Sequence, residues 1–183
     1  MRCLYLNWVF ILSIALQITS INAFSAKHKL KTLVENSSLI LSGKVETINS
    51  KIENEGKHDV VYTYVTLKIK SIEKGIINKK YVTIKMLGGK VGNQGGWSEH
   101  WFHFKKGEEA IVFLTQIDKK NNIWEIKSIS GKLPFVDVKG DKKLDCSMLR
   151  EDDLLKVNSD PYFEKDMIKE LIKKYISGKK GGK

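Results

Sequence analysis

Arginine is nearly missing from this chain. Of its 32 basic residues, only Arg2 and Arg150 carry a guanidinium. Arginine's planar fork is the group suited to bidentate recognition of phosphates and base edges. Its scarcity makes nucleic acid an unfavoured partner, in spite of a net charge of +11. Residues 24–139 hold 20 lysines against 12 acids, and residues 140–183 hold 11 basic residues against 9 acidic ones. The positive excess therefore sits on the body of the chain and not in a basic tail. Dispersed lysines of this kind leave open a weak, lysine-driven affinity for an anionic polymer or surface.

Cysteine is equally scarce, at Cys3 and Cys146. Cys3 precedes the apolar run WVFILSIAL at 8–16 instead of following it, so it does not read as a lipoprotein acylation site. Residues 1–23 have the three parts of a secretory signal: Arg2, the apolar run, and a small-residue site at Ile21-Asn22-Ala23. This predicts cleavage before Phe24 and a secreted or periplasmic product. An uncleaved anchor is the competing reading, but the run falls short of the ~20 residues a bilayer demands. No second apolar run of spanning length follows, so no transmembrane segment is expected after cleavage. Cys146 is then alone. It predicts no internal disulfide, and either a free thiol beside a loop or a bond between chains. A mature domain of roughly 160 residues can hold together by core packing alone.

Catalytic signatures are missing as well. There is no G-x-S-x-G, no G-x-G-x-x-G and no G-x-x-x-x-G-K-S/T. Ser-Gly-Lys occurs at 42–44 and 130–132 without an evident base, and Cys146 lacks a cysteine-protease surround. The carboxylates Glu108-Glu109 and Asp152-Asp153 are sequence neighbours, which point apart. The chain therefore reads as a non-enzymatic module with no cofactor. A hydrolase or protease inhibitor is the alternative, because distant residues can converge in a fold.

What is present is mostly strand. Residues 27–35 form a short candidate helix with Leu30, Leu33 and Val34 on one side, ended by Asn36-Ser37-Ser38, a possible glycosylation sequon. Residues 39–47 alternate apolar and polar, with Gly43 implying a bend or close backbone approach. Residues 49–59 are polar and read as a loop. A long strand covers 60–73, where a bulge near Ser71 would bring Ile72 back to the core side. Lys74-Gly75 begins a turn, and 81–86 alternates again. Ala110 to Leu114 is a continuous apolar run, read as a strand buried on both faces. Trp124 and Ile126 mark a fifth strand and 133–138 a short edge strand, with Pro134 near its start.

The expected fold is mainly β, a small OB-like barrel of five to six strands with a short N-terminal helix and a C-terminal amphipathic helix. An immunoglobulin-like sandwich is the alternative, though it needs about seven strands. The second helix is predicted to be capped by Asp160, to begin at Pro161 and to leave at Gly178. Phe163, Met167, Leu171 and Tyr175 share a side with Ile168, Ile172 and Ile176. Glu164, Lys165, Lys169, Glu170, Lys173 and Lys174 lie opposite. The stripe predicts packing on the barrel, with a membrane-surface or partner helix as the alternative. The organisation is then signal 1–23, barrel 24–139, connector and helix 140–177, and a flexible basic tail 178–183.

One loop stands out. GGKVGNQGG at 88–96 runs into WSEHWFHF at 97–104. Its glycines precede aromatics and a strand instead of a helix N-terminus, so a phosphate loop is not expected. They either allow positive-φ turns or make an adaptable recognition loop. The candidate binding residues are Lys90, Asn93, Trp97, His100 and Trp101. His100 and His103, three apart, are weak candidates for a metal, and no metal is expected.

Taken together, "LILSGKV", "VYTYVTLKIKSIEKG", "VTIKMLGGKVGN", "FKKGEEAIVFL" and "WEIKSISGKLPF" resemble an uncharacterised family of bacterial exported β-rich domains, across about 100 residues. The resemblance implies architecture and export, not an activity. The family tends to place a small residue and proline before its "F--GE" strand. Here Trp101-Phe102-His103 stands there instead. The strand order is also similar to that of netrin and metalloproteinase-inhibitor OB barrels. Those inhibitors chelate the protease metal through an N-terminal cysteine and are stapled by disulfides. A chain starting near Phe24 with Cys146 alone does not support that mechanism. The implied partner is an unknown envelope or extracellular protein, or an anionic polymer.

Overall fold

The computed structural model describes residues 28–56, 58–96, 103–149 and 160–178. The chain is mainly β. Helix α1 (Leu30–Asn36) leads into two 17-residue strands, β1 (Leu39–Glu55) and β2 (His58–Lys74), followed by β3 (Tyr81–Leu87). A small hairpin comes next, β4 (Gly89–Val91) with β5 (Gln94–Gly96). Then follow β6 (Glu109–Asp118), β7 (Ile123–Glu125), β8 (Lys132–Val138), β9 (Asp141–Asp145), β10 (Tyr162–Phe163) and α2 (Lys165–Gly178).

Eight strands form one sheet in the order β1-β2-β3-β7-β6-β8-β9-β10, with β4 and β5 paired separately. β1 also pairs with β6 over Leu39–Lys44, and β3 runs parallel to β7. That parallel contact is pinned by Asn122 at φ 57. Its Nδ2 donates to the Tyr81 carbonyl at 3.0 Å, and its Oδ1 accepts from Trp124 Nε1 at 2.9 Å.

The run at 110–114 is buried on both faces, as its unbroken apolar character predicts. Ala110, Val112 and Leu114 join Leu41, Val65, Leu67, Val82 and Ile84 between the strands. Ile111 and Phe113 face the other way, with Ile40, under α1 and α2. The apolar stripe of α2 is covered by this second core, where Ile168 and Ile172 are fully buried. The stripe therefore packs inward. Lys169, expected on the wet side, reaches Glu73 at 2.6 Å and fastens α2 to β2.

Several expectations are corrected. Residues 49–59 are not a loop, because β1 and β2 continue in unbroken register from Thr47↔Thr66 to Glu55↔His58. Two register shifts flank Ser71, and they leave Ile72 out, 42% exposed. Two bulges change the phase twice, so Ser71 and Glu73 turn toward Lys169 instead. Helix α2 begins at Lys165, not Pro161. Tyr162 and Phe163 pair with Asp145 and Leu144 of β9, and Asp160 accepts from the Tyr162 amide at 3.1 Å. Among the described residues four strands lie beyond the six expected, β4, β5, β9 and β10, each of five residues or fewer. Gly43 does mark a close approach, since a Cβ there would lie 3.0 Å from the Lys68 carbonyl oxygen.

Candidate functional site

The outer half of β1 runs on past the β1–β6 pairing, which stops at Lys44, as an arm held by β2; β3 backs that part of β2 from Tyr62 onward, so only residues 52–55 and 58–61 project as two strands. The inner strand segment, Leu39 to Leu41, is fully buried, whereas Ile48 and Ile52 farther out are 37% and 39% exposed. With little core beneath it, the arm depends on cross-strand pairs.

One face of the arm carries them. Glu53 accepts from the Tyr64 hydroxyl and meets Lys85 at 2.7 Å and Lys51 at 2.7 Å. Tyr62 donates its hydroxyl proton to Glu55 at 2.6 Å. Lys51 stands 4.4 Å over the Tyr64 ring, and Lys85 stands 3.7 Å over that of Tyr62. Hydrogen bonds from Lys51, then Lys85 and Tyr64, pull the Glu53 carboxyl down to about 2. The Glu55 hydrogen bond raises Tyr62 to about 12, and burial, with the Glu53 contact, raises Tyr64 further. The rings are thereby locked as neutral phenols between charged neighbours.

The opposite face seats the glycine hairpin. Gly89 has φ 130, and a Cβ built on it would fall 2.3 Å from Thr63 Oγ1 and 2.6 Å from Ser50 Oγ. Only glycine fits this backbone and this approach. Those two hydroxyls bond each other at 2.9 Å, Thr63 also donates to the Gly88 carbonyl at 2.7 Å, and the Gly88 amide donates to the Val61 carbonyl at 2.7 Å. Gly92, at φ 59, opens the two-residue turn between β4 and β5.

The expected loop is thus in part a hairpin. Lys90 and Asn93 are exposed on it, one on β4 and the other in its turn. Trp97, His100 and Trp101 lie outside the described residues. His103 is described, and its carbonyl oxygen accepts from Lys132 Nζ at 2.7 Å. Lys132 in turn pairs with Glu108 at 2.7 Å and covers the Phe104 ring at 4.4 Å. The segment leaving the aromatic run is therefore anchored to β8. Burial lowers the Lys132 ammonium against the opposing pull of Glu108.

Among the described residues no group of three or more His, Cys, Asp and Glu side chains could hold a metal. Cys146 is a free thiol, buried in the core under the helices, and burial pushes it up to about 12. A cavity of about 340 Å³ opens between α1 and β6, lined by His28, Thr32, Leu33, Phe113, Lys127 and Ser128 among others. No carboxylate or thiol lines it, and Lys127 is drawn to Glu125 at 3.3 Å. Among the described residues no helix is long and apolar enough to cross a membrane.

Sequence reasoning passed over the tyrosine–lysine ladder entirely. Its signal was the alternation of Asn49, Lys51 and Glu53 with Ile48, Ser50 and Ile52, closed by Gly56. That period of two is weakly amphipathic, and its charge makes it resemble a loop.

No protein-family model matches the chain, and no curated protein matches it significantly. The functional reading accordingly rests on this geometry.

Proposed function

We propose that this is an exported, non-enzymatic binding module that captures a protein or polymer through the segment 88–104, displayed at the outer end of a small OB-like barrel. The barrel reading is supported by pairings that run from β1 through β2, β3, β7 and β6 back to β1, with β3 and β7 parallel. It is also supported by the long bulged strands that a small barrel uses to turn its corners. Export is supported by the composition of residues 1–23.

The observation that carries the binding reading is the fit of Gly89 against Ser50 and Thr63. The hairpin is held to a rigid ribbon, with Lys90 and Asn93 outward and the aromatic run continuing from its end. Binding surfaces are built in this way, from irregular segments positioned by a scaffold. The partner would be an envelope or extracellular protein, or an anionic polymer that the dispersed lysines favour.

The test is capture of a partner from the envelope and medium of the producing cell, with the wild-type chain and a Trp97→Ala/Trp101→Ala variant as baits. Loss of the partner with an unchanged melting temperature is the expected result. Equal capture by both would overturn the reading, and collapse of the variant would reassign the tryptophans to the core.

A further inference from the structure

The open edge of β1 is a self-complementary strand, and we infer that two copies of this chain pair antiparallel along it, about a two-fold axis at Ile52. The inference rests on the register of β1, not on the reading of segment 88–104.

Which backbone groups face outward follows from one hydrogen bond. The Val61 carbonyl accepts from the Gly88 amide, on the side of β2 away from β1. In an antiparallel ladder a residue's N–H and C=O point to the same side. Val61 therefore turns both away from β1, and its partner Ile52 turns its own N–H and C=O away from β2. The register is constant from Thr47 to Glu55, so Ile48, Ser50 and Asn54 point outward too. Among the described residues no strand pairs with β1 on that side beyond Lys44. This is a row of free donors and acceptors of the kind that templates another strand.

Every two-fold register centred from Ser50 to Asn54 would pair outward-facing residues, and axes at Lys51 or Glu53 would set that charge against its own copy. An axis at Ser50 would bring Glu55 of the second copy against Val45. That edge is already filled, since the Val45 amide donates to the Glu108 carbonyl at 2.8 Å and the Gly107 amide to the Val45 carbonyl at 2.9 Å. An axis at Asn54 would pair only the tip and would set Glu53 opposite Glu55. An axis at Ile52 avoids both faults. Ile52 then lies on its own copy, Ser50 on Asn54, and Ile48 on the tip glycine Gly56. Lys51 falls opposite Glu53 of the second copy, twice by symmetry. Directly opposed unlike charges stabilise an antiparallel pair, and like charges destabilise it. Lys51 and Glu53 already meet at 2.7 Å within one copy, so pairing would extend a ladder that exists. The half-exposed Ile52 would gain an apolar neighbour. The interface is isologous and closes, which limits it to a dimer.

The test is light scattering of the full chain across a dilution series, with variants read beside it. The wild type should shift from monomer to dimer. Lys51→Glu and Glu53→Lys, each placing like charges opposite, should weaken the dimer on the order of tenfold. An equimolar mixture of those two variants should restore it as a heterodimer, because each then supplies the charge the other lacks. Ile52→Pro removes an outward donor and leaves the intrachain ladder intact, and it should also be monomeric. Retained tyrosine near-ultraviolet dichroism would show the arm still formed in each variant. The inference is overturned by a wild type that stays monomeric to its solubility limit. It is equally overturned if the single variants associate as well as the wild type, or if their mixture gains nothing over either alone.

Discussion

Strand β1 is one chain segment with two different supports. Its inner part, from Leu39 to Val45, is paired on both edges and lies between two cores; only Lys44 is exposed there. Its outer part, from Thr47 to Glu55, is paired on one edge and has no fully buried side chain. The inner part is a strand because its side chains leave water. The outer part is a strand because its partners across the ribbon match: Lys51 with Tyr62, Asn49 with Tyr64, Ser50 with Thr63. Burial fixes the inner sheet and uses up its surface, while cross-strand polar pairs keep the arm ordered and leave it accessible.

The largest effect expected from this comparison is at Leu41. Leu41→Ala, at a fully buried position, should cost about 2–5 kcal/mol in denaturant unfolding of the full chain. Ile52→Ala, on the same strand, should cost within about 0.5 kcal/mol. Comparable losses would mean that the arm has a core after all.

Gly89→Ala comes next. It forces a non-glycine residue into a positive-φ conformation against two hydroxyls, a strain of about 1–3 kcal/mol. Because the hairpin carries little of the core, amide exchange should quicken in β4, β5 and residues 61–63 while the amides of β6 keep their protection.

Smaller still is Glu53→Gln. Removing the charge that Lys51, Lys85 and Tyr64 share should loosen the arm by about 1 kcal/mol, the scale of a solvent-accessible ion-pair network. Faster exchange at Lys51 and Tyr62, with the inner half of β1 unchanged, is the expected readout.

Acid should act on the same group. The Glu53 carboxyl in the folded arm titrates near 2, against an ordinary value of 4.5. The opened arm binds a proton more readily, so the contribution is fully present above about pH 4.5 and lost as the pH falls toward 2. At the other end Tyr62 is raised from 10.0 to about 12, so its hydrogen bond to Glu55 is kept below about pH 10 and lost as the pH climbs toward 12. Proton resonances of the two tyrosine rings should report both limits.

Much of this fold is legible in the sequence. The apolar run 110–114 announces a strand with two buried faces, and β3 shows its period of two. The arm is not legible, because both of its faces are polar enough to pass for a loop and its reason for being a strand lies 13 residues away, at Thr63 beside Ser50. The four-residue spacing of Phe163 to Met167 suggests helix, yet its backbone pairs with Leu144 as strand. The short β9 contributes one buried residue, Leu144, too little to make a pattern. Of the candidate site, Lys90 and Asn93 are exposed on the hairpin, Gly89 belongs to the glycine run at 88–96, and Trp97, His100 and Trp101 lie outside the described residues. That Ser50 and Thr63 form the seat of Gly89 could not be read before the register was known.

The most direct test of the account is partner capture by the wild-type chain and by Gly89→Ala, which alters no exposed side chain of segment 88–104. If the hairpin must be held on the arm to bind, the variant should lose the partner while the unfolding of its core remains intact. If the variant captures the partner as well as the wild type, seating on the arm is irrelevant to recognition and the central claim fails.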